Sequence, residues 1–321
     1  MCVSAETSAG TDAYAYRPLL FSVAYGMTGS VGDAEDLVQD AFLGLTRARR
    51  AGTVIADLKA YLTTAVTRLA INHLKSARVR RETYVGDWLP EPVVVAADGS
   101  GPAEHAELSD ALSMAFLVLL EVLSPVERAV FVLREVFGYG YPDVARITGK
   151  SEANCRQIFA RARKRVAPGA RPAGPVPLPV RRAEGARLAD RFFAAADSGD
   201  LDALLGMLAP DVVFQGDGGG KAQALGASVT EPRRIVHLLV GGFRRVRKLG
   251  AVLEPAWVNG RPGGVTYDAE GRVASVVVLD IADGAVRAIH AVSNPDKLAH
   301  LGPVSGIGLL PGPRPTGGQT A

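Results

Sequence analysis

The stretch that most constrains this chain is LSPVERAVFVLREVFGYGYPDVARITGKSEANCRQIFARARKRV, from Leu123 to Val166. Ser124 is placed to cap a helix, Pro125 suits its first position and Glu127 completes a capping box. Val126, Ala129, Val130, Leu133 and Phe137 then fall on one stripe, and Gly138 stops the run. A second short helix opens at Pro142, with Val144, Ala145 and Ile147 inward, and Gly149 supplies a sharp turn. Ser151 caps a third helix whose core face is Cys155, Ile158, Phe159, Ala162 and Val166. The opposite face carries Ala153, Arg156, Gln157, Ala160, Arg161 and Lys164, small residues beside Arg and Gln, which is what close approach to base edges in a major groove requires. From Tyr139 onward the bases are Arg146, Lys150, Arg156, Arg161, Arg163, Lys164 and Arg165, against only Asp143 and Glu152. The pattern predicts a helix-turn-helix with phosphate-binding flanks.

The 321 residues suffice for two or three domains, each with its own core. A formal charge of +3 is too small for a global field, so affinity for nucleic acid has to come from local patches. Cys2 and Cys155 are too few and too distant for a disulfide framework or a thiolate zinc site, and Cys155 sits on the buried face. The first residues lack a basic segment followed by an apolar one, and the most apolar run, Ala115 to Leu123, is short and interrupted by Glu121. A cytoplasmic protein, neither secreted nor membrane-spanning, is the expectation.

Before the helix-turn-helix, a tail to about Thr11 precedes a helix from Tyr14 to Met27. The next helix, within GSVGDAEDLVQDAFLGLTRARR, turns Ala34, Leu37, Val38, Ala41, Phe42 and Leu45 inward. Asp33, Glu35, Asp36, Gln39 and Asp40 make its outer face, a docking surface for a basic or polar partner or simply a solvated one. Asp57 caps a long helix with Leu58, Leu62, Ala65, Val66 and Leu69 inward. Its second half is basic: Arg68, Lys75, Arg78, Arg80 and Arg81, with Asn72 and His73 between them and Tyr61 as an exposed aromatic. Backbone tracking plus a stacking platform is how melted DNA is held.

The DAEDLVQDAF helix, the AINHLKSARVRRE helix and the module from LSPVERAVFVLREVFG to SEANCRQIFARARKR resemble the DNA-binding regions of a bacterial extracytoplasmic-function sigma factor. The resemblance implies that the first region, residues 12–82, docks on the beta-prime clamp helices of RNA polymerase core through Asp33, Asp36, Gln39 and Asp40. It also implies that this region holds the minus-ten strand with Asn72, Arg78, Arg80 and Arg81. The helix-turn-helix region, residues 108–167, would read the minus-thirty-five duplex with Lys150, Ala153, Arg156, Gln157, Arg161 and Lys164.

Residues 83–107 form a linker containing GDWLPEPVVV, where three prolines forbid a helix and Trp88 with Leu89 is an apolar anchor. WLPEP after RRETYVG resembles the linker of the sigma subgroup with a fused C-terminal SnoaL-like domain; members often show Pro where this chain has Asp87. A Pro-rich spacer, residues 168–182, leads to a further domain, residues 183–301, and a disordered tail, residues 302–321. Two helices up to Leu208, with Phe192, Phe193, Leu201, Leu204, Leu205 and Leu208 inward, precede strands at 212–215, 251–258, 264–268, 273–281 and 285–292. The expected fold class is therefore multidomain, two all-α sigma modules followed by an α+β cone of the SnoaL-like, nuclear-transport-factor-like kind.

Two motifs there stand out. GDGGGK, Gly216 to Lys221, follows a strand, and its glycines Gly218, Gly219 and Gly220 permit positive φ and close backbone approach between Asp217 and Lys221; it lacks the spacing of a Walker loop. NPDKL, Asn294, Pro295, Asp296, Lys297 and Leu298, reads as a turn and helix start. In the subgroup these loops, with Trp88, Leu89, Pro90, Glu91 and Pro92, are regulatory contacts, and Lys221 with Glu91 is the expected charge pair. No catalytic residue, metal, cofactor or separate anti-sigma factor is expected. Asp280, His237 and His290 keep open a vestigial enzyme or small-molecule sensor joined to an ordinary helix-turn-helix regulator.

Overall fold

The computed structural model describes residues 13–81, 84–96, 112–166, 178–224 and 226–309. The expected N-terminal tail, much of the Pro-rich spacer and the second half of the linker lie outside these residues. The chain divides into two compact units, one built from residues up to 83 and 98–176, the other from residues 84–97 and 177 onward.

In the first unit, α1 (Arg17–Thr28), α2 (Val31–Arg50) and α3 (Leu58–Arg81) pack on one another. α4 (Met114–Leu119), α5 (Pro125–Glu135), α6 (Tyr141–Thr148) and α7 (Glu152–Arg165) follow. Both arms of the expected capping box form at the start of α5: Ser124 Oγ accepts from Glu127 N, and Glu127 accepts from Ser124 N at 2.9 Å. α5 departs from the single stripe that its sequence suggests, because every residue from Arg128 to Leu133 is buried. It contacts α1 and α3 on one side and α6 and α7 on the other, so it is a core helix shared by both regions. Arg128, with 2% exposure in that core, donates to Glu121 at 2.7 Å and to Leu117 O, which satisfies part of a charge that burial would otherwise penalise. α3 is likewise buried more widely than expected: Leu62, Thr63, Val66, Thr67, Ala70, Ile71 and Leu74 face inward, while Leu58, Ala65 and Leu69 are half-buried.

The second unit contains α8 (Leu178–Ser198), α9 (Leu201–Met207) and α10 (Pro232–Lys248), lying with a six-stranded sheet in the order β1-β3-β4-β5-β6-β2. The strands are β1 (Val94–Ala96), β2 (Leu208–Asp217), β3 (Val252–Val258), β4 (Arg261–Tyr267), β5 (Val273–Ala282) and β6 (Ala285–Val292). β2 runs parallel to β6 and the remaining pairs are antiparallel. Phe192, Leu204, Ile235, Val236, Leu279 and Ile289 anchor the core between helices and sheet. Asp283 and Gly284 take φ of 53° and 75° in the β5–β6 hairpin, the mirror-image turn that matches strand twist.

Five features of this unit differ from expectation. α8 begins at Leu178, inside the supposed spacer, and β2 begins at Leu208 rather than at 212. α10 has no counterpart in the strand-only reading, since its Gly241–Gly242 pair weakens the helical signal. The linker supplies a strand, β1, to the sheet edge against β3, where Val93 N donates to Asn259 Oδ1 and Asn259 N donates to Val93 O. Residues 302–309 of the supposed tail are ordered, with Ser305 buried and donating to Asp268 at 2.6 Å.

Candidate DNA interface and linker clasp

α7 presents Ala153, Arg156, Gln157, Arg161 and Lys164 on its exposed side, with Lys150 exposed in the preceding turn, while Cys155, Ile158 and Ala162 are buried. Phe159 is half-buried and stacks on Phe131 at 5.7 Å. The helix is aimed by Gly149, whose φ of 67° caps α6, and by the Ser151 side chain accepting from Asn154 N. Arg156 is held by Glu152 at 2.9 Å and lies 5.0 Å from the centre of the Tyr141 ring. Both partners are local, so the guanidinium is positioned without being buried, and its side chain keeps 56% exposure.

On α2, Asp36, Gln39 and Asp40 are exposed together. Asp33 is half-buried and meets His73 Nε2 at 3.1 Å, and Glu35 pairs with Arg17 at 2.6 Å, so the uncompensated acidity of this face narrows to Asp36 and Asp40. On α3, Asn72 is exposed, whereas the side chains of Arg78, Arg80 and Arg81 lie outside the described residues. Two members of the expected α3 surface serve structure instead. Arg68 donates to the carbonyls of Ile147 and Arg146 at 3.0 and 3.1 Å, capping the C-terminal end of α6 where orphan carbonyls and the helix dipole favour a cation. Tyr61 is half-buried and donates to Gly44 O, so it offers no open stacking platform.

The second unit contains a buried polar centre built on Asp217, at the end of β2, whose exposure is 0%. Its Oδ1 accepts from Tyr84 OH at 2.5 Å and from Gly219 N at 3.0 Å. Its Oδ2 accepts from Leu89 N at 2.8 Å and from Lys297 Nζ at 2.6 Å. Lys297, itself buried, also donates to Leu89 O and lies 4.2 Å from the Trp88 ring centre and 4.9 Å from that of Tyr84. One carboxylate thus ties three segments, the linker, the GDGGGK loop and the NPDKL turn. Burial first, and then the hydrogen bond to Asp217, push the Tyr84 hydroxyl far above its ordinary range, so it stays a protonated donor.

Close packing explains the glycines. A Cβ on Gly219 would sit 2.2 Å from Asn294 Nδ2, and one on Gly218 would sit 2.2 Å from Ala222 O. Gly220 faces Val85 of the linker at 3.2 Å. Asn294 Nδ2 donates to Tyr84 OH at 2.8 Å, and its Oδ1 caps α11 (Pro295–Leu298) by accepting from Asp296 N. Leu89, Pro90 and Pro92 are buried, Glu91 is half-buried and Trp88 half-covers the lysine, so Leu89 rather than Trp88 is the apolar anchor. Lys221 takes Asp296 as its partner, at 2.6 Å, in place of the expected Glu91. Asp87, at the position where Pro was expected in relatives, accepts from Ser228 at 3.0 Å. Tyr84, Asn259 and His300, which donates to Pro92 O, were not legible as linker contacts because their partners are remote in sequence.

The residues raised as a vestigial catalytic set are not assembled into a dyad. His237 is exposed with Nδ1 at Arg233 O, and Asp280 lies 3.4 Å from Arg261. His290 is buried with neither ring nitrogen hydrogen-bonded, and burial lowers its pKa to about 4. Among the described residues no cluster of His, Cys, Asp and Glu has metal-binding form, and no helix is long and apolar enough to cross a membrane.

A helix with an acidic face, a basic helix and a helix-turn-helix, followed by a separate α+β domain, are the parts of a promoter-recognition subunit of RNA polymerase. Residues 14–80 match Sigma-70 region 2 and residues 113–166 match Sigma-70 region 4. The chain belongs to the extracytoplasmic-function sigma factors: it is 39% identical over 292 residues to the ECF RNA polymerase sigma factor SigJ of Mycobacterium tuberculosis, covering 88% of this chain and 91% of that protein. The probable sigma factor SigI of the same organism is 32% identical, with 89% and 93% coverage. The crystal structure of SigJ matches with a TM-score of 0.69 at 36% identity, over 89% of this chain and 96% of that one. The protein is therefore a transcription initiation factor, not an enzyme, whose partners are RNA polymerase core and promoter DNA.

Proposed function

We propose that the second unit regulates the sigma regions by holding the linker, and that release of the linker from Asp217 is the switch. The observation that carries this reading is the four-donor environment of Asp217, in which two of the donors, Tyr84 OH and Leu89 N, belong to the linker. A buried carboxylate so satisfied is stable only as a complete set, since losing donors leaves a charge in a low-dielectric site. Linker docking is therefore close to all-or-none, as two-state control requires. The built-in domain then takes the place of a separate anti-sigma factor. Asp36, Gln39 and Asp40 dock on the beta-prime clamp helices. Asn72 and the basic end of α3 hold the minus-ten strand, and Arg156, Gln157, Arg161 and Lys164 read the upstream duplex. All of this takes place in the cytoplasm.

Run-off transcription with purified core polymerase tests the reading. Wild type, Trp88→Ala, and a chain ending near Pro168 are compared on one promoter. The expected result is a different transcript yield for both altered proteins; equal yields from all three would remove the second unit from control of initiation.

A further inference from the structure

The helix that the sequence does not announce, α10, carries a surface unrelated to the linker clasp. From Pro232 to Leu253 the chain holds Arg233, Arg234, Arg244, Arg245, Arg247 and Lys248 and no acidic residue, so this one helix bears twice the net charge of the whole protein. At 100° per residue all of these cations, with His237 and Gly241, fall in one arc of about 160°. Ile235, Val236 and Leu239 are buried outside the arc, Val240 is buried within it beside Arg247, and the six cations are exposed.

We infer that this arc is a second contact surface for duplex DNA, binding the phosphate backbone without reading sequence. The cations of the arc are mostly uncommitted within the protein. Arg247 reaches Asp197 only at 3.7 Å between two well-exposed side chains, and Arg245 takes the neutral Gln223. Arg233, Arg234 and Lys248 have no side-chain partner among the described residues. The arc offers no exposed aromatic or apolar side chain, which argues against stacking on unpaired bases and against the apolar centre that protein contacts favour. From Arg233 to Lys248 it runs about 22 Å, the rise of roughly six base pairs of a strand carrying one phosphate per 3.4 Å. Gly241 lies within the arc, and neither it nor Gly242 has any atom within 4 Å of where a Cβ would be, so internal packing does not require the pair. A glycine costs a helix up to about 1 kcal/mol relative to Ala, and at Gly241 it leaves the backbone open to an approaching strand.

The test measures binding of the full-length protein to a short fluorescent duplex of arbitrary sequence across a potassium chloride series. Replacing Arg233→Gln, Arg234→Gln and Lys248→Gln together should lower the slope of log affinity against log salt by about 2.7, and Lys248→Gln alone by about 0.9. Arg233→Lys with Arg234→Lys should keep the wild-type slope, because charge rather than guanidinium geometry is what counts. An unchanged slope in the triple variant would overturn the inference. So would an unchanged slope with weakened binding to polymerase core, which would assign the arc to a protein partner. Arg161→Gln with Lys164→Gln, read in the same series, reports on α7, so failure of the α10 surface and failure of the helix-turn-helix assignment remain distinguishable.

Discussion

Lys297→Met is the sharpest perturbation of the clasp. It keeps the length and most of the apolar stem while deleting the ammonium that sits 2.6 Å from Asp217. Asp217 would retain the amides of Leu89 and Gly219 and the Tyr84 hydroxyl, but as a buried anion without its counter-ion. Removing one partner of such a pair costs about 3–5 kcal/mol, which at 1.4 kcal/mol per tenfold lowers the docking constant of the linker by roughly two to four powers of ten. The cost falls on the docked linker because undocking rehydrates the carboxylate. Amide hydrogen exchange reads this directly: the Leu89 N–H, donated to Asp217 in the wild type, should lose its protection, and the backbone of residues 84–96 should exchange with it. Tyr84→Phe, which removes one donor and adds no bulk, should loosen the same residues by a smaller step of about 1–3 kcal/mol. Combining Lys297→Met with Asp217→Leu should recover part of the loss, since an apolar pair leaves no orphan charge. Wild-type protection of Leu89 in both Lys297→Met and Tyr84→Phe, with unchanged circular dichroism, would refute the carboxylate as the clasp.

Three further outcomes are expected. Asp36→Lys with Asp40→Lys should abolish pull-down of polymerase core without altering circular dichroism, because both side chains are exposed and away from the buried stripe of α2. Arg156→Ala should relax discrimination at one upstream base pair by about 1–3 kcal/mol, whereas Lys164→Ala should weaken all sequences evenly and reduce the salt slope by about 1; even losses for both would show that Arg156 does not read bases. His290 keeps its folded pKa at about 4 against an ordinary 6.5, so the unfolded chain binds the proton first as pH falls. Stability is then full above the ordinary value and declines by up to about 3 kcal/mol as pH drops towards 4. Thermal unfolding of His290→Leu should show a shallower loss than wild type over that window, and parallel curves would place the proton uptake elsewhere.

What could be read from the sequence was local. The capping box at Ser124 and Glu127, the left-handed Gly149 and the alternation of Cys155, Ile158 and Ala162 with Arg156 and Arg161 are all encoded within a few residues. The glycines of GDGGGK announced close approach, but not to what, because Asn294 and Val85 are distant in sequence. Asp217 with Lys297, 80 residues apart, escaped for the same reason, and so did Asp296 as the exposed partner of Lys221, for which Glu91 was the expectation. Arg68 shows the limit in another form. A basic residue on a basic helix reads as a nucleic-acid contact until the carbonyls it caps, on α6, come within reach.

The sequence separation of the clasp has a consequence for the protein during its own synthesis. Leu89 and the lysine that holds it are 208 residues apart, and β1 cannot pair until β3 exists. Ribosomes add about 5–20 residues per second, so roughly 10–40 s pass between emergence of the linker and emergence of its last ligand. The helical regions, whose contacts lie earlier in the chain, have this interval in which to fold. Each nascent molecule therefore spends its first seconds with the linker undocked, and the clasp can close only once the chain has been made as far as Lys297.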